Sequence, residues 1–384
     1  MARTAKWLSI GVAQAMGVAL LGGLLASECL QATSDTASAI ATTPAASLPS
    51  TLAGLLWSPE NRGELVPMVT DGTRLIRRTG GSFALSAVPH KSSIMSPSPT
   101  ITASRDRRWL AYNTGARFPG EIGRAGAIAR VRILNLATNR EMALGSGTAG
   151  GSWDTHSTFA YFRGRDRLAD PRVSRISGHV FARDIRRPSV APVRWTTESG
   201  GYGVFGWARK RLVIIRRSEG GYTETLIADR PGGIREVGQG WPIAISPSGT
   251  QLLVYEIGDG SGRDLRLLDI QSGKVIAQRQ SAPLAAGDWR RDLVVATQGT
   301  NLATFQIRNN RISLPATHRV ARHDLQSVRF ADRTLRNVVI SEGKTNPLGS
   351  RVVLCRLAVN TCQTTPPRAH VQEFAYDFGS PLDG

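Results

Sequence analysis

Short apolar runs separated by polar turns fill the chain from Thr51 onward, and the stretch from Trp241 to Gln280 shows this arrangement most clearly. Residues 251–255 form a strongly apolar run, and residues 264–270 alternate between apolar and polar positions with the period of two that a half-buried strand requires. Gly273 suits the left-handed position of a short hairpin loop. The pattern predicts four short strands, at 241–245, 251–255, 264–270 and 274–277.

The same order of runs recurs along the chain. The residue that ends the first strand of each unit falls at positions 57, 103, 153, 207, 245, 289 and 330, with spacings of 38 to 54 residues. Four short strands in roughly 40–45 residues is the period of a propeller blade. One such sheet cannot bury both faces alone, whereas sheets stacked in a ring can. We therefore predict an all-β fold, a seven-bladed β-propeller of four-stranded antiparallel blades.

Three segments follow from this interpretation. Residues 1–32 are predicted to be an export signal or signal anchor. Residues 33–50, rich in Ala, Thr, Ser and Pro, are predicted to be a flexible linker, because this composition cannot bury a core. Residues 51–384 are predicted to form the propeller with a C-terminal tail strand, and Glu373–Tyr376 is the strand-like part of that tail.

The N-terminus predicts export. Arg3 and Lys6 precede a mostly apolar stretch, and small residues allow cleavage after Ala32 or Ala39. We expect a secreted or cell-surface protein. A single-pass membrane anchor is the alternative, because the apolar stretch approaches the length that spans a bilayer. Lipidation of Cys29 is a further alternative, which the preceding Glu28 disfavours.

The two remaining cysteines agree with export. Cys355 and Cys362 flank a six-residue segment that resembles a hairpin turn. Cysteines on two paired strands can meet the spacing that a disulfide needs when they lie opposite each other. We predict a Cys355–Cys362 disulfide, with two buried free thiols as the alternative.

The charge is strongly positive. The net charge is +19, and five of the 48 basic residues are lysine, so 43 are arginine. This balance indicates either attraction to an anionic surface or a solvated basic exterior. No basic run is interleaved with stacking aromatics, so nucleic acid is not the expected partner. The ring face and the insertions at 115–127 and 166–177 are the expected binding surface. The candidate ligand-facing residues in or near these insertions are Arg117, Arg124, Arg163, Arg165 and Arg167.

The segment Ile245–Tyr255, followed by the hairpin Leu268–Lys274, resembles the TolB-like and WD-repeat-like propellers. Their characteristic turn is Ser-Pro-Asp-Gly, and this chain has Ser-Pro-Ser-Gly at 246–249. The resemblance extends from about Thr51 to Pro366 and implies a propeller, a fold shared by members that bind protein or peptide through the ring face and by members of unknown role. Function is carried by analogy alone.

No catalytic, metal or cofactor site is predicted. The six histidines form no H-x-H or H-E-x-x-H motif, although His318 and His323-Asp324 share one loop. The segment Asp259–Asp264 lacks the alternating acidic ligands of a calcium loop. No nucleophile elbow, P-loop or dinucleotide fingerprint occurs. The tryptophans at 57, 153, 207 and 289 are interpreted as packing residues between blades.

Two functions remain open. The first is an exported, non-catalytic monomer that binds a protein, a peptide or an anionic cell-envelope polymer at the cell surface. The second is a propeller enzyme, a hydrolase or lyase acting on an envelope polysaccharide or peptide. The second predicts paired carboxylates at one end of the channel.

Overall fold

A computed structural model of the chain describes residues 52–58, 64–70, 75–77, 83–84, 86, 101–114, 130–154, 156–164, 177–217, 223–257, 263–320, 325–331, 334–343, 350–364, 372–375 and 377–378. Every regular element among them is a β-strand. These residues contain no helix of the length and hydrophobicity needed to cross a membrane. The predicted export segment 1–32 and linker 33–50 lie outside the described residues.

The strands are short, and most of them contain between two and seven residues. In chain order they are β1 (Leu52–Ser58), β2 (Glu64–Thr70), β3 (Leu75–Arg77), β4 (Phe83–Ala84), β5 (Ile101–Ala103), β6 (Trp109–Thr114), β7 (Arg130–Asn135), β8 (Arg140–Ser146), β9 (Thr148–Trp153), β10 (Thr158–Gly164), β11 (Gly178–Asp184), β12 (Val193–Arg194), β13 (Tyr202–Ala208), β14 (Arg211–Arg217), β15 (Thr223–Ala228), β16 (Ile234–Gln239), β17 (Trp241–Ile245), β18 (Gln251–Ile257), β19 (Arg263–Asp269), β20 (Val275–Gln280), β21 (Gly287–Arg290), β22 (Leu293–Gln298), β23 (Asn301–Arg308), β24 (Arg311–Ile312), β25 (Ala316–Arg319), β26 (Leu325–Phe330), β27 (Asn337–Gly343), β28 (Ser350–Arg356), β29 (Thr361–Thr364), β30 (Gln372–Ala375) and β31 (Asp377–Phe378).

The strands form antiparallel meanders in chain order. Sheets β9–β12, β13–β16 and β17–β20 have four strands each, and β21–β25 is a similar sheet whose last strand is split in two. Sheet β5–β8 gains β31 as a fifth strand, which pairs with β5 in parallel. The predicted all-β fold of four-stranded antiparallel sheets is confirmed.

The C-terminal tail links the two ends of the described strands. β30 pairs antiparallel with β1 and also meets β28 at Ser350 and Glu373, so that β26–β29 and β1–β4 join into one nine-stranded sheet. Counted with the five other sheets, the described strands form seven groups, which we number 1 to 7 from β1–β4 to β26–β29. This number is compatible with the predicted seven blades.

The first unit differs from the sequence interpretation in one respect. Trp57 was expected to end the first strand of its unit, but β1 lies between β30 and β2 and therefore has a strand on each side. The added strand comes from the end of the chain. No local pattern near residue 57 encodes a pairing with a segment more than 300 residues away, since that pairing depends on how the ring of sheets closes.

The core lies between successive groups. In β14, Leu212 and Ile214 pack with residues of group 3, whereas Val213 between them packs with Leu252 and Val254 of group 5. Alternate side chains of a strand point to opposite faces of the sheet. The continuous apolar run of this central strand therefore reflects burial on both faces. First strands of successive groups contact one another from β5 through β9, β13, β17 and β21 to β26.

Candidate functional site

The antiparallel order places two kinds of connection at opposite ends of each group. Connections from first to second strand and from third to fourth strand emerge at one end, and the other connections emerge at the opposite end. We call the first end, in groups 2 to 7, the turn face. Its connections are 104–108, 136–139, 154–157, 185–192, 209–210, 229–233, 246–250, 270–274, 291–292, 309–310, 331–336 and 357–360.

Among the described residues, exposed basic side chains are concentrated on the turn face. They come from connections near the ring centre and from those near its rim, and from strand residues directly beside them. The set comprises Arg108, Arg140, Arg186, Arg187, Arg209, Lys210, Arg230, Lys274, Arg291, Arg308, Arg311, Arg336 and Arg356. We refer to this set as the basic turn face.

Several carboxylates at the same end are bonded to the backbone of their own turns. Asp154 accepts hydrogen bonds from the N–H groups of His156 and Thr158, both at 2.7 Å. Asp269 accepts the N–H of Ser272 at 2.6 Å and its hydroxyl at 2.7 Å. These bonds from Ser272 hold the pKa of Asp269 below its usual value. Asp154 and Asp269 thus stabilise the backbone conformation of their own turns.

Other carboxylates at this end are shared with arginines. Asp229 accepts Arg211 Nε at 2.5 Å and Arg235 Nε at 3.2 Å. Burial of Asp229 favours its neutral form, but the hydrogen bonds from the two guanidinium groups outweigh it and lower the pKa of this carboxyl. Burial of Asp184 likewise favours its neutral form, but the hydrogen bonds from Arg186, whose Nε lies 3.3 Å from Oδ1, outweigh it and lower the pKa of this carboxyl. Because one carboxylate is shared by two cations at Asp229, this cluster keeps a net positive charge.

Three arginines of the turn face occupy a left-handed backbone conformation. The φ angles are 59° at Arg107, 58° at Arg209 and 51° at Arg291. At the corresponding point of the 246–250 turn the residue is Gly249, with φ 65°. Glycine adopts this conformation freely, whereas a side-chain-bearing residue costs about 1 kcal/mol or more. These three turns therefore carry arginine at a position where glycine would be less strained.

Hydrogen bonds between neighbouring groups hold the turns at one level. Arg209 Nε donates to the carbonyl oxygen of Ser248 at 2.6 Å, which joins the inner turns of groups 4 and 5. Gln251 Nε2 donates to Asn310 Oδ1 at 3.0 Å, which joins groups 5 and 6. The guanidinium of Arg235 also donates to the Ile270 carbonyl. Part of the arginine content is thus structural, and the rest forms a shared charged surface.

The first strands carry one carboxylate whose side chain is described, Asp288 of β21. Its oxygens lie 3.0 Å from Arg290 Nε and accept the Phe330 N–H of the next group at 2.9 Å. The Asp288 side chain is 15% exposed. It is therefore engaged in joining two groups. The described part of the inner strands does not offer the paired carboxylates that the alternative enzyme function predicts.

Of the five predicted ligand-facing arginines, the structure describes Arg163 alone. Arg163 lies near the end of β10, exposed, at the end opposite to the turn face. Arg117, Arg124, Arg165 and Arg167 lie outside the described residues, so this surface stays a prediction. The sequence interpretation missed the basic turn face. The available signal was that arginine or lysine recurs in the short turns. The sequence does not show that these separate turns lie at one end of the sheets.

The other candidate residues have these positions. Cys355 and Cys362 are directly opposite each other on β28 and β29 and are joined by a disulfide, with Cα atoms 4.1 Å apart. His318 is half-buried in β25, and His323 and Asp324 lie outside the described residues, as do residues 258–262. Within the described ranges no three His, Cys, Asp or Glu residues are grouped to hold a metal ion.

The tryptophans pack between groups. Trp153 and Trp289 are buried, and Trp207 is half-buried against the cluster of groups 3 and 4. The side chain of Trp57 lies outside the described residues. Trp195 and Trp207 stack edge to face with ring centroids 5.3 Å apart. The three described residues serve as packing residues, as their repeat position predicts.

No protein-family model matches the chain, and no curated protein sequence matches it. Similar folds occur among solved structures. TolB from Acinetobacter baumannii is 13% identical, with 85% of this chain and 66% of that chain covered and a TM-score of 0.44. The β-propeller domain of the Trilobed protease from Pyrococcus furiosus is 10% identical, with 82% and 94% covered and a TM-score of 0.49.

A chain of the mitotic checkpoint complex is 11% identical, with 86% of this chain and 97% of that chain covered and a TM-score of 0.48. A TolB structure is thus among the similar structures, in line with the resemblance drawn from the sequence. Likeness at these identities supports no statement about activity or partner, and the fold assignment rests on the sheets described above.

Proposed function

We propose that this chain is an exported, non-catalytic propeller protein that binds an acidic ligand of the cell envelope through its basic turn face. The observation that carries the proposal is the excess of exposed cations at this end. Carboxylates such as Asp154 and Asp269 stay charged but are directed into their own turns, whereas cations such as Lys210 and Arg291 are exposed. Such a surface attracts anions and accelerates their capture.

The left-handed arginines add to this proposal. Strained backbone at Arg107 and Arg291 is a local cost that the surrounding structure tolerates, and such positions concentrate at binding sites. Arginine also presents a planar fork of donors that suits carboxylate and phosphate oxygens. The chemistry of the surface therefore fits an acidic ligand.

Binding is tested with an immobilised soluble polyanion, heparin, as the probe. We expect the chain to be retained at low salt and released as ionic strength rises, because screening shortens the reach of surface charges to about 10 Å at 0.1 M. The double variant Arg230→Glu/Lys274→Glu is expected to elute at much lower salt. The control variant Arg130→Glu/Arg319→Glu changes the net charge equally at the opposite end and should elute near the unmodified chain. Equal loss in both variants would contradict a specific surface.

Export is tested separately, by the intact mass of the chain in secreted and membrane fractions of expressing cells. A secreted species that begins between residues 28 and 40 supports cleavage and export. A full-length membrane-bound species supports the anchored alternative. A chain found only in the cytoplasm would refute export and leave the binding measurement unaffected.

A further inference from the structure

We propose that the acidic ligand of the basic turn face is an anionic membrane surface, on which the chain docks with this end towards the lipid headgroups. The inference rests on the proposed function and narrows its ligand. Its starting point is the two-dimensional spread of the cations. Lys210 and Arg291 come from inner connections, whereas Arg230, Lys274 and Arg311 come from connections near the rim or beside them.

A linear polymer requires cations along one groove or stripe. A membrane presents many headgroups in a plane, and a set of cations that covers one end of the molecule matches that plane. Contacts such as that between Arg209 and the Ser248 carbonyl hold neighbouring turns at one level. Many cations can therefore approach the same plane together.

Exposed aliphatic side chains lie among these cations. Val190 is 53% exposed, Val275 is 47% exposed and Val359 is 60% exposed. Val190 and Val359 belong to rim connections of the turn face, and Val275 directly follows the connection 270–274. Each valine lies within three residues of an exposed cation, namely Arg187, Lys274 and Arg356. Surfaces that bind the membrane interface combine apolar side chains with cations in this way.

The described residues at the opposite end have a different balance. There Glu224 pairs with Arg216 at 2.5 Å, and Glu256 pairs with Arg266. Glu198 and Glu236 are also exposed or half-exposed near this end. Here most of the named carboxylates neutralise neighbouring arginines, so among the described residues the excess of exposed cations lies on the turn face and favours docking through it.

Nucleic acid fits the turn face less well. The large hydrophobic side chains that are most exposed among the described residues are four valines and Leu314, with no aromatic ring among them. Single-stranded nucleic acid is held by bases stacked on exposed aromatics. Aliphatic side chains next to cations suit acyl chains and headgroups better.

The test is binding of the full chain to two kinds of vesicle, pure phosphatidylcholine and phosphatidylcholine mixed with phosphatidylglycerol. The readout is the excess binding to the anionic vesicles, compared between variants, because the apolar N-terminal stretch and its Arg3 and Lys6 are the same in every variant. Arg230→Glu/Lys274→Glu should reduce this excess by about 20-fold or more, given that each cation near an anionic surface contributes about fivefold. The control Arg130→Glu/Arg319→Glu should change it by less than about threefold.

A second variant separates lipid from soluble polyanions. Val190→Ser/Val359→Ser should weaken vesicle binding and leave heparin retention unchanged, because the valines carry no charge. Thermal unfolding of each variant checks that it is folded.

Equal binding to both vesicle types, or an equal loss in the control, overturns the inference. If heparin is retained through Arg230 and Lys274 while anionic vesicles are not bound preferentially, the lipid inference fails and the proposed function stands. If neither probe binds, both fail.

Discussion

The indole N–H of Trp207 donates a hydrogen bond to the carbonyl oxygen of Ser152, 3.2 Å away on the first strand of the preceding group. One group earlier, the Trp153 indole donates to the Thr102 carbonyl at 3.3 Å. The same type of hydrogen bond, from an indole to a backbone carbonyl, thus joins two successive pairs of first strands. β9 is the inner edge of its sheet, so its outward carbonyl groups have no strand partner, and the Trp207 indole satisfies that of Ser152.

Removing this hydrogen bond should destabilise the chain measurably. Trp207→Phe keeps most of the ring packing and leaves the Ser152 carbonyl without its indole donor. We expect a loss of about 1 kcal/mol in the free energy of unfolding, measured by chemical denaturation. Trp241→Phe is the matched control, since its indole makes no hydrogen bond to a described residue, and it should cost clearly less. Equal losses would show that packing alone is responsible.

Tyr112 and Glu141 should make the fold sensitive to alkali. The Tyr112 hydroxyl donates to Glu141 Oε1 at 2.6 Å, and the same carboxylate accepts the Ser86 N–H at 2.9 Å. Burial, and then the hydrogen bond to Glu141, raise the pKa of Tyr112. A raised folded pKa adds stability that is complete below the unfolded value and is lost as pH rises above about 10.

We therefore expect the melting temperature to fall above pH ~10, and to fall less steeply in Tyr112→Phe. At neutral pH this variant should be less stable by about 1–3 kcal/mol, because a hydrogen bond to a charged acceptor is lost while Glu141 keeps its bonds to Ser86 and Arg132. The pKa values of Tyr161 and Tyr202 are also raised by burial, so a weaker alkaline transition should remain in the variant. An unchanged alkaline transition would contradict the role of Tyr112.

The Cys355–Cys362 disulfide should stabilise the last group. It closes a short loop between β28 and β29, with a sequence separation of 7 residues. Closing such a loop removes about 2–3 kcal/mol of conformational freedom from the unfolded chain. Cys355→Ala/Cys362→Ala should lower the melting temperature, and a reducing agent should lower that of the unmodified chain similarly. A further decrease when the variant is reduced would point to another cause.

Arg291 should show opposite effects on stability and on binding. Arg291→Gly relieves the left-handed strain and should increase the free energy of unfolding by about 1 kcal/mol. Arg291→Ala keeps the strain and should leave stability nearly unchanged. Both remove the same charge, so both should elute from heparin at lower salt by the same amount. Unequal elution would show that the turn conformation, and not the charge, governs binding.

The C-terminal strands should be required for a stable ring. β30 pairs with β1 through four residues, from Gly54–Ala375 to Trp57–Gln372, and β31 pairs with β5. A chain that ends after residue 371 loses both pairings and should melt at a markedly lower temperature. A chain that ends after residue 378 keeps them and should melt near the full-length value. Similar melting of all three would refute this closure.

The local pattern of apolar and polar residues was sufficient to predict most of the strands. The apolar run at 251–255 and the alternation at 264–270 correspond to β18 and β19, because the side-chain period of a strand is visible in the sequence itself. The position of the tryptophans within each repeat likewise predicted that Trp153 and Trp289 are buried. The short hairpin between Cys355 and Cys362 predicted that they could pair, and the register of β28 and β29 places them opposite each other.

The sequence by itself determined the repeat, the strand content and the excess of positive charge, since these depend on residues within one unit or on composition. Only the tertiary structure decided that β30 flanks β1, and that cations in or beside ten separate connections share one end of the sheets. Ring closure joins residues more than 300 positions apart, and the shared end arises because antiparallel strands return alternate turns to the same side. No local stretch of the chain encodes either the β30–β1 pairing or the shared position of the turns.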